Sequence, residues 1–156
     1  MDITFEIKTR DLWKRVAAPH FKGLKHTKFI VADLEPKAYR AWLSAADIVV
    51  IGYNFDTESK SYIQHSVANK LPECLASGAV LLAVGPADVA TISILNELDC
   101  GIRVTNNDAD AVVRAIRALA VSPEERFRLG TEAQEIAFDK FNVEHLRDKF
   151  EGALRM

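Results

Sequence analysis

A chain of 156 residues has room for one domain with a real core and too little for two. Apolar residues make up 49% and charged residues 27%, an ordinary soluble globular profile, and the formal net charge of −2 advertises no nucleic-acid partner. Lys and Arg are scattered without a run of five, which disfavours a basic membrane-surface or RNA module, and no apolar run approaches the ~20 residues of a membrane span. Cys74 and Cys100 sit in apolar segments without metal-ligand spacing, so they read as two buried, reduced thiols of a cytosolic protein. Met1 to Thr4 has neither the basic start nor the apolar stretch of a signal peptide.

Strand and helix signals alternate from end to end. Ile3, Phe5 and Ile7 alternate with Thr4, Glu6 and Lys8, which predicts a strand. Thr9 to Ala18 reads as a short helix ended by Pro19, and Lys28 to Ala32 as a second strand. Pro36 opens a helix with Tyr39, Trp42, Leu43 and Ala46 inward. Trp13 and Trp42 are both expected in the core. Asp47 to Ile51 is a continuous apolar strand, as in a sheet buried on both faces.

Residues 53 to 64 are polar and read as a loop. A helix over about Val67 to Ser77 follows, stopped at Gly78, with Ser66 a candidate cap. Pro72 can delay its regular part to about Leu71, which puts Glu73 in the first turn. Ala79 to Val84 is a buried strand closed by Gly85-Pro86; Asp88 to Leu98 is a helix capped by Asp88; Gly101 to Val104 is a last short strand. Asn107 or Asp108 caps the next helix, Ser122-Pro123-Glu124-Glu125 is a capping box, and Asn142 caps the final helix. The helices after Ser122 should close the domain and contribute no chemistry, with Phe127, Ile136, Phe141, Leu146 and Phe150 inward and the Glu and Arg residues of 124–135 solvated.

The pattern predicts an α/β fold: a Rossmann-like, doubly wound parallel sheet of about five strands, in the order 2-1-3-4-5, flanked by helices over a single domain 1–156. The alternation at Ile3, Phe5 and Ile7 runs against a central place for the first strand. Ligands of such sheets bind beyond the C-terminal strand ends. These ends fall near Lys8-Thr9, Gly52-Tyr53, Gly85-Pro86 and Thr105-Asn106.

The segment His65-Ser66-Val67-Ala68-Asn69-Lys70-Leu71-Pro72-Glu73 sits at that crevice. A helix N-terminus can receive a phosphate, Ser66 can hydrogen-bond it, and Lys70 adds a mobile positive charge. Ionised Glu73 only accepts hydrogen bonds, which suits paired ribose hydroxyls. Each has a plainer reading: Glu73 as a solvated helix carboxylate, Lys70 as a surface lysine, Ser66 as a cap, His65 as a loop residue, Tyr53 as packing rather than a flank for the base.

Lys70 to Leu81 (KLPECLASGAVL) resembles the K-x-x-E-x-hydrophobic-A-x-G-x-P-V signature in the donor-binding, C-terminal domain of GT-B glycosyltransferases, above all the retaining family 4. Ala45 to Val50 (AADIVV) is similar to that family's "AADVVV" strand, and Ser122 to Arg126 with Gly130 resembles its closing helix. The resemblance implies a nucleoside-diphosphate-sugar donor and no metal or other cofactor. It implies that Glu73 is the second glutamate of the E-x7-E motif and binds the ribose, with Lys70, Ser66, His65, Asn69 and Tyr53 around the nucleotide sugar. His65 stands where the first glutamate belongs, near the donor sugar.

The family's first strand, with its glycine-rich turn and phosphate-contacting basic residues, has no match before Asp2, and the N-terminal acceptor domain is missing. The resemblance therefore implies half of an enzyme, inactive alone and completed by that domain or a partner chain. It is expected in the cytoplasm, with any peripheral membrane contact made by the missing domain. Two other readings are a non-catalytic, degenerate GT-B-like module for complex assembly and half of a sugar-nucleotide epimerase.

Overall fold

The structure is a computed structural model that describes residues 2–155, the side chain of Lys149 excepted; Met1 and Met156, the ends of the expected domain range, lie outside it. The chain falls into two compact units, one up to Tyr39 and one from Arg40 onward.

In the first unit β1 (Phe5–Lys8) pairs in parallel with β2 (Thr27–Ile30), Phe5 opposite Thr27 and Lys8 opposite Ile30. The crossover is α1 (Asp11–Ala17) followed by a 3₁₀ turn, Ala18–Phe21. The Phe21 ring packs against Phe5 and Phe29, with centroids 5.9 and 5.7 Å away. Trp13, expected in the core, is 60% exposed. The apolar side of α1 has no sheet of its own to lie on, because a two-stranded ribbon offers little area and Phe21 occupies it. Trp42, on α2 (Pro36–Ser44), is half-buried.

The second unit carries β3 (Ile48–Gly52), β4 (Val80–Val84) and β5 (Ile102–Val104) as a parallel sheet in the order 3-4-5, with Ile48 opposite Val80 and Leu82 opposite Ile102. The expected five parallel strands are present, each beside an expected neighbour, but as a pair and a triple rather than one sheet. The alternating, half-polar β1 explains why it does not take a central place: such a strand needs apolar side chains on both faces. β4 meets that demand, with Val80, Leu81, Leu82 and Ala83 fully buried. β3 meets it less well, leaving Val50 exposed.

Helices cover both faces of β4. Leu81 and Ala83 pack with Leu71, Cys74 and Leu75 of α4 (Leu71–Ala76), Ile92 and Leu95 of α5 (Ala90–Glu97), and Ala133 and Ala137 of α7 (Pro123–Lys140). Val80 packs with Leu129 of α7 and Leu119 of α6 (Ala109–Ala120). The polar stretch expected as a loop contains α3 (Thr57–Ile63), whose Asp56 cap accepts from the Ser59 N–H at 2.8 Å. That helix buries no residue, so it carries no apolar periodicity to detect.

Asp108 caps α6 through the Ala111 N–H at 3.1 Å, and Asn142 caps α8 (Val143–Leu154) through the Glu144 N–H at 2.9 Å. Ser122 is the N-cap of α7 but makes no side-chain cap bond, so the expected capping box is not formed. Asp88 does not cap α5; Val89 holds that position, and Asp88 instead pairs with Lys60 at 2.6 Å.

The closing helices depart from expectation in which aromatics they bury. α7 turns Leu129, Gly130, Ala133 and Ala137 inward, with Ile136 and Phe141 partly buried against the core. Phe127 is 78% exposed, and Leu146 and Phe150 are exposed on α8. The inward face of α7 follows small residues at helical spacing, and Phe127 lies off that face. Arg126 leaves the expected solvated face: its guanidinium donates to the Leu119 and Ala120 carbonyls at 2.6 and 3.2 Å and pairs with Asp47 at 3.1 Å.

Two glycines let α7 approach. Gly78, at φ +81°, makes the turn from α4 into β4, a left-handed conformation that costs other residues energy. A Cβ on Gly130 would collide with the Gly78 carbonyl oxygen. Gly130→Ala is therefore expected to destabilise the protein by ~2 kcal/mol or more in urea unfolding, against ~0.5 kcal/mol for an ordinary surface change. Both thiols are buried, and burial, with Glu73 adding to it, pushes Cys74 up to about 11. Native protein at pH 8 should react with a disulfide reagent only on the unfolding timescale. The sign for stability follows: above about pH 9 the unfolded thiol ionises while the folded one stays protonated, so stability should fall as pH rises towards 11.

Candidate functional site

The C-terminal strand ends of the second unit are joined by backbone bonds, Tyr53 N–H to the Val84 carbonyl at 2.8 Å and Gly85 N–H to the Val104 carbonyl at 3.0 Å. Tyr53 follows β3 directly, and its side chain covers Gly85, where a Cβ would come within 2.9 Å of the Tyr53 Cβ. Its hydroxyl lies 2.7 Å from Thr91 Oγ1. Thr91, in the first turn of α5, is fully buried. The same Oγ1 accepts from the Ala68 N–H at 2.9 Å and lies 3.4 Å from the Ser66 carbonyl. The Ala90 N–H donates to the Gln64 carbonyl at 2.9 Å. One buried hydroxyl and one backbone bond thus pin residues 64–68 against the start of α5.

Sequence reading passes over Thr91, because a threonine among Ala90, Ile92 and Ile94 carries no motif. The detectable signal was its chemistry: a buried hydroxyl needs a partner.

Beyond Ala68 the chain turns, and regular helix begins at Leu71, with Lys70 as the N-cap and Pro72 in the first turn. Proline has no N–H to give, which suits a first turn and blocks helix further back. Ser66 therefore lies outside the helix and does not cap it. Glu73 is in the first turn, as Pro72 implied. His65, Ser66 and Asn69 are exposed.

Lys70 Nζ stands 3.6 Å from Glu73 Oε2, both side chains substantially exposed. Such a pair is worth ~1 kcal/mol at most. Glu73 also lines a cavity of about 370 Å³, together with Arg40, Ser44, Asn142 and the rings of Phe138 and Phe141. That volume falls in the usual range for small-molecule sites. Lys70, His65, Ser66, Asn69 and Tyr53 do not line it. Of the expected site residues the structure thus brings only Glu73 to the cavity, pairs Lys70 with it, and ties Tyr53 to the Ser66–Ala68 backbone through Thr91. Sequence reading gives Asn142 only as a helix cap and passes over Arg40, because each reaches the cavity from a segment remote in the chain.

At the strand-end rim, Lys60 of α3 pairs with Asp88 after β4. The hydrogen bond from Lys60 holds the Asp88 carboxyl below its ordinary range, and the Ser59 N–H does the same for Asp56. Among the described residues no helix is long and apolar enough to cross a membrane.

In a search of the solved structures, WaaG, a glycosyltransferase involved in lipopolysaccharide biosynthesis, superposes with a TM-score of 0.67 at 13% identity, over 94% of this chain and 36% of its own. The C-terminal domain of a glycosyl transferase group 1 family protein, LpcC from Francisella tularensis, does so with a TM-score of 0.63 at 17% identity, over 85% and 64%. HepE of Anabaena, solved in complex with UDP, gives 0.73 at 14% identity, over 98% and 41%. The chain thus spans well under two thirds of WaaG and HepE. Among curated proteins none matches the sequence. Identities this low establish shared fold: a GT-B Rossmann-like domain. The sequence profile described as glycosyl transferase-like matches residues 10–152, nearly the whole length, and on that match the chain belongs to the glycosyl transferase-like family.

Proposed function

We propose that this chain is the donor-binding half of a retaining glycosyltransferase, which moves a sugar from a nucleoside diphosphate to a glycan, lipid or other acceptor. The observation that carries this reading is the position of Glu73. It sits in the family-like motif, in the first turn of α4, with its side chain about half exposed beside a nucleoside-sized cavity. HepE, of the same fold, was solved with UDP.

In this reading the nucleoside enters the cavity with its ribose hydroxyls donating to the Glu73 carboxylate. Each such charge-assisted bond contributes ~1.5–3 kcal/mol. Phe138 and Phe141 offer the base an apolar wall, and Arg40 and Asn142 offer polar contacts. The Lys70 ammonium follows the diphosphate, since its ion pair with Glu73 is exposed and weak. His65, Ser66 and Asn69 stand at the sugar end, and Tyr53 acts through Thr91 by holding Ser66 and Ala68 in place. The nucleotide sugar is the donor, and no metal or other cofactor is assigned a role. The acceptor side comes from a further domain or a partner chain. The two free, buried thiols support a cytoplasmic setting.

A second reading has one observation in its favour: His65 replaces the first glutamate of the motif. A donor domain altered there would serve assembly rather than transfer.

Glu73→Ala should weaken UDP, GDP or ADP binding by at least ~tenfold in calorimetric titration, with little change in stability. Equal affinities for wild type and variant, or no binding at millimolar nucleotide, would overturn the site and favour the assembly module. The purified 156-residue chain should transfer no sugar, because holding donor and acceptor together supplies ~7–11 kcal/mol of such a barrier and in this reading the acceptor wall belongs to a further domain or a partner chain. A linked product identified by mass spectrometry would refute that.

A further inference from the structure

The stretch from Arg10 to Lys28 holds six Lys or Arg against the single acid Asp11, a net charge of +5 inside a chain of −2. Asp11 is taken by Arg15 at 2.7 Å, and Lys28 pairs with Glu6 at 3.6 Å. Among the described residues Arg10, Lys14, Lys22 and Lys25 have no ion-pair partner. The first unit as a whole holds eight Lys or Arg and five acids, and its excess of bases is concentrated in this stretch.

Apolar side chains are exposed in the same stretch. Leu12, Trp13 and Val16 are 67%, 60% and 56% exposed, and Leu24 is 60% exposed. Positions 12, 13 and 16 share one face of α1 by helical spacing. The ring contacts of Phe21 with Phe5 and Phe29 fasten the segment to the β1–β2 ribbon, so these groups are displayed from a folded base.

We propose that this segment docks the protein on an anionic membrane surface. Uncompensated cations meet anionic headgroups, and an indole with aliphatic neighbours suits the layer just beneath them. A nucleic acid would satisfy the cations equally. It would leave Leu12, Val16 and Leu24 without a partner, since single strands are bound by stacking on aromatic rings and these three side chains are aliphatic. The inference is independent of the nucleotide site, as none of these residues lines the cavity beside Glu73.

The test is co-sedimentation of the chain with phosphatidylcholine vesicles containing about one third phosphatidylglycerol, and with pure phosphatidylcholine. A Trp42→Phe background makes Trp13 the only tryptophan. The expected result is binding to the anionic vesicles at low salt, a blue shift of Trp13 emission, and release at high salt. The double variant Lys22→Glu/Lys25→Glu should lower partitioning at least ~tenfold while circular dichroism and UDP affinity stay unchanged. Leu12→Ser/Val16→Ser, at exposed positions, should weaken binding and reduce the blue shift. No binding, equal binding to both vesicle types, binding without a Trp13 shift, or capture of single-stranded RNA with none of vesicles would each overturn the proposal. Because UDP affinity is read separately, a failed donor site and a failed membrane dock give different results.

Discussion

Val80, Leu81, Leu82 and Ala83 of β4 are closed to water on both faces, and most of the second unit follows from having to keep them so. A parallel strand in that position needs helices above and below, and its hydrogen bonds need strands on either side. α4, α5 and α7 meet Leu81 and Ala83, while α6 and α7 meet Val80. Each buried leucine or valine contributes ~1.5–3 kcal/mol. α7 serves both faces and can do so only because Gly130 lets its backbone come down on the Gly78 carbonyl. Gln134 then donates to the Ala76 carbonyl at 3.2 Å, answering one of the open acceptors at the end of α4.

The candidate site depends on that core through one polar atom. Thr91 Oγ1 lies where apolar packing would otherwise be unbroken, and burial obliges it to find partners. It finds them in Tyr53 and the Ser66–Ala68 backbone. The strand end, the start of α5 and the approach to α4 are thereby joined, and Pro72 then decides where the helix begins. The face Glu73 presents is set by both: a helix beginning earlier would rotate the carboxylate by ~100° per residue.

The two units differ in chemistry as well as in sheet. The second has an apolar centre and exposed arginine–carboxylate ladders such as Arg128 with Glu125 and Glu132. The first has three phenylalanine rings in contact, one pair tilted and one edge-to-face, a short helix with an exposed apolar side, and, among the described residues, most of its bases without an ion pair. A near-neutral total conceals this difference, because net charge sums over surfaces that never meet the same partner.

Much of the architecture was legible in the residues alone. The continuous run Ala79 to Val84 marked a strand buried on both faces, Asn142 and one of Asn107 and Asp108 marked helix starts, and Pro72 marked the delay that puts Glu73 in a first turn. These are local constraints: hydrophobic period, side-chain caps and a missing N–H act within a few residues. The family signature at Lys70 to Leu81 was legible for the same reason. What tertiary structure decided was everything set by remote neighbours. It split the five strands into a pair and a triple, left Trp13 and Phe127 in water, drew Arg126 down to the α6 carbonyls, and gave Asp88 to Lys60 instead of to its own helix. It also brought Arg40 and Asn142 to the cavity beside Glu73. A sequence pattern says that a side chain is apolar or can accept a hydrogen bond. Which surface covers it, or which donor reaches it, depends on area and distance between segments far apart in the chain, and those exist only once the chain has folded.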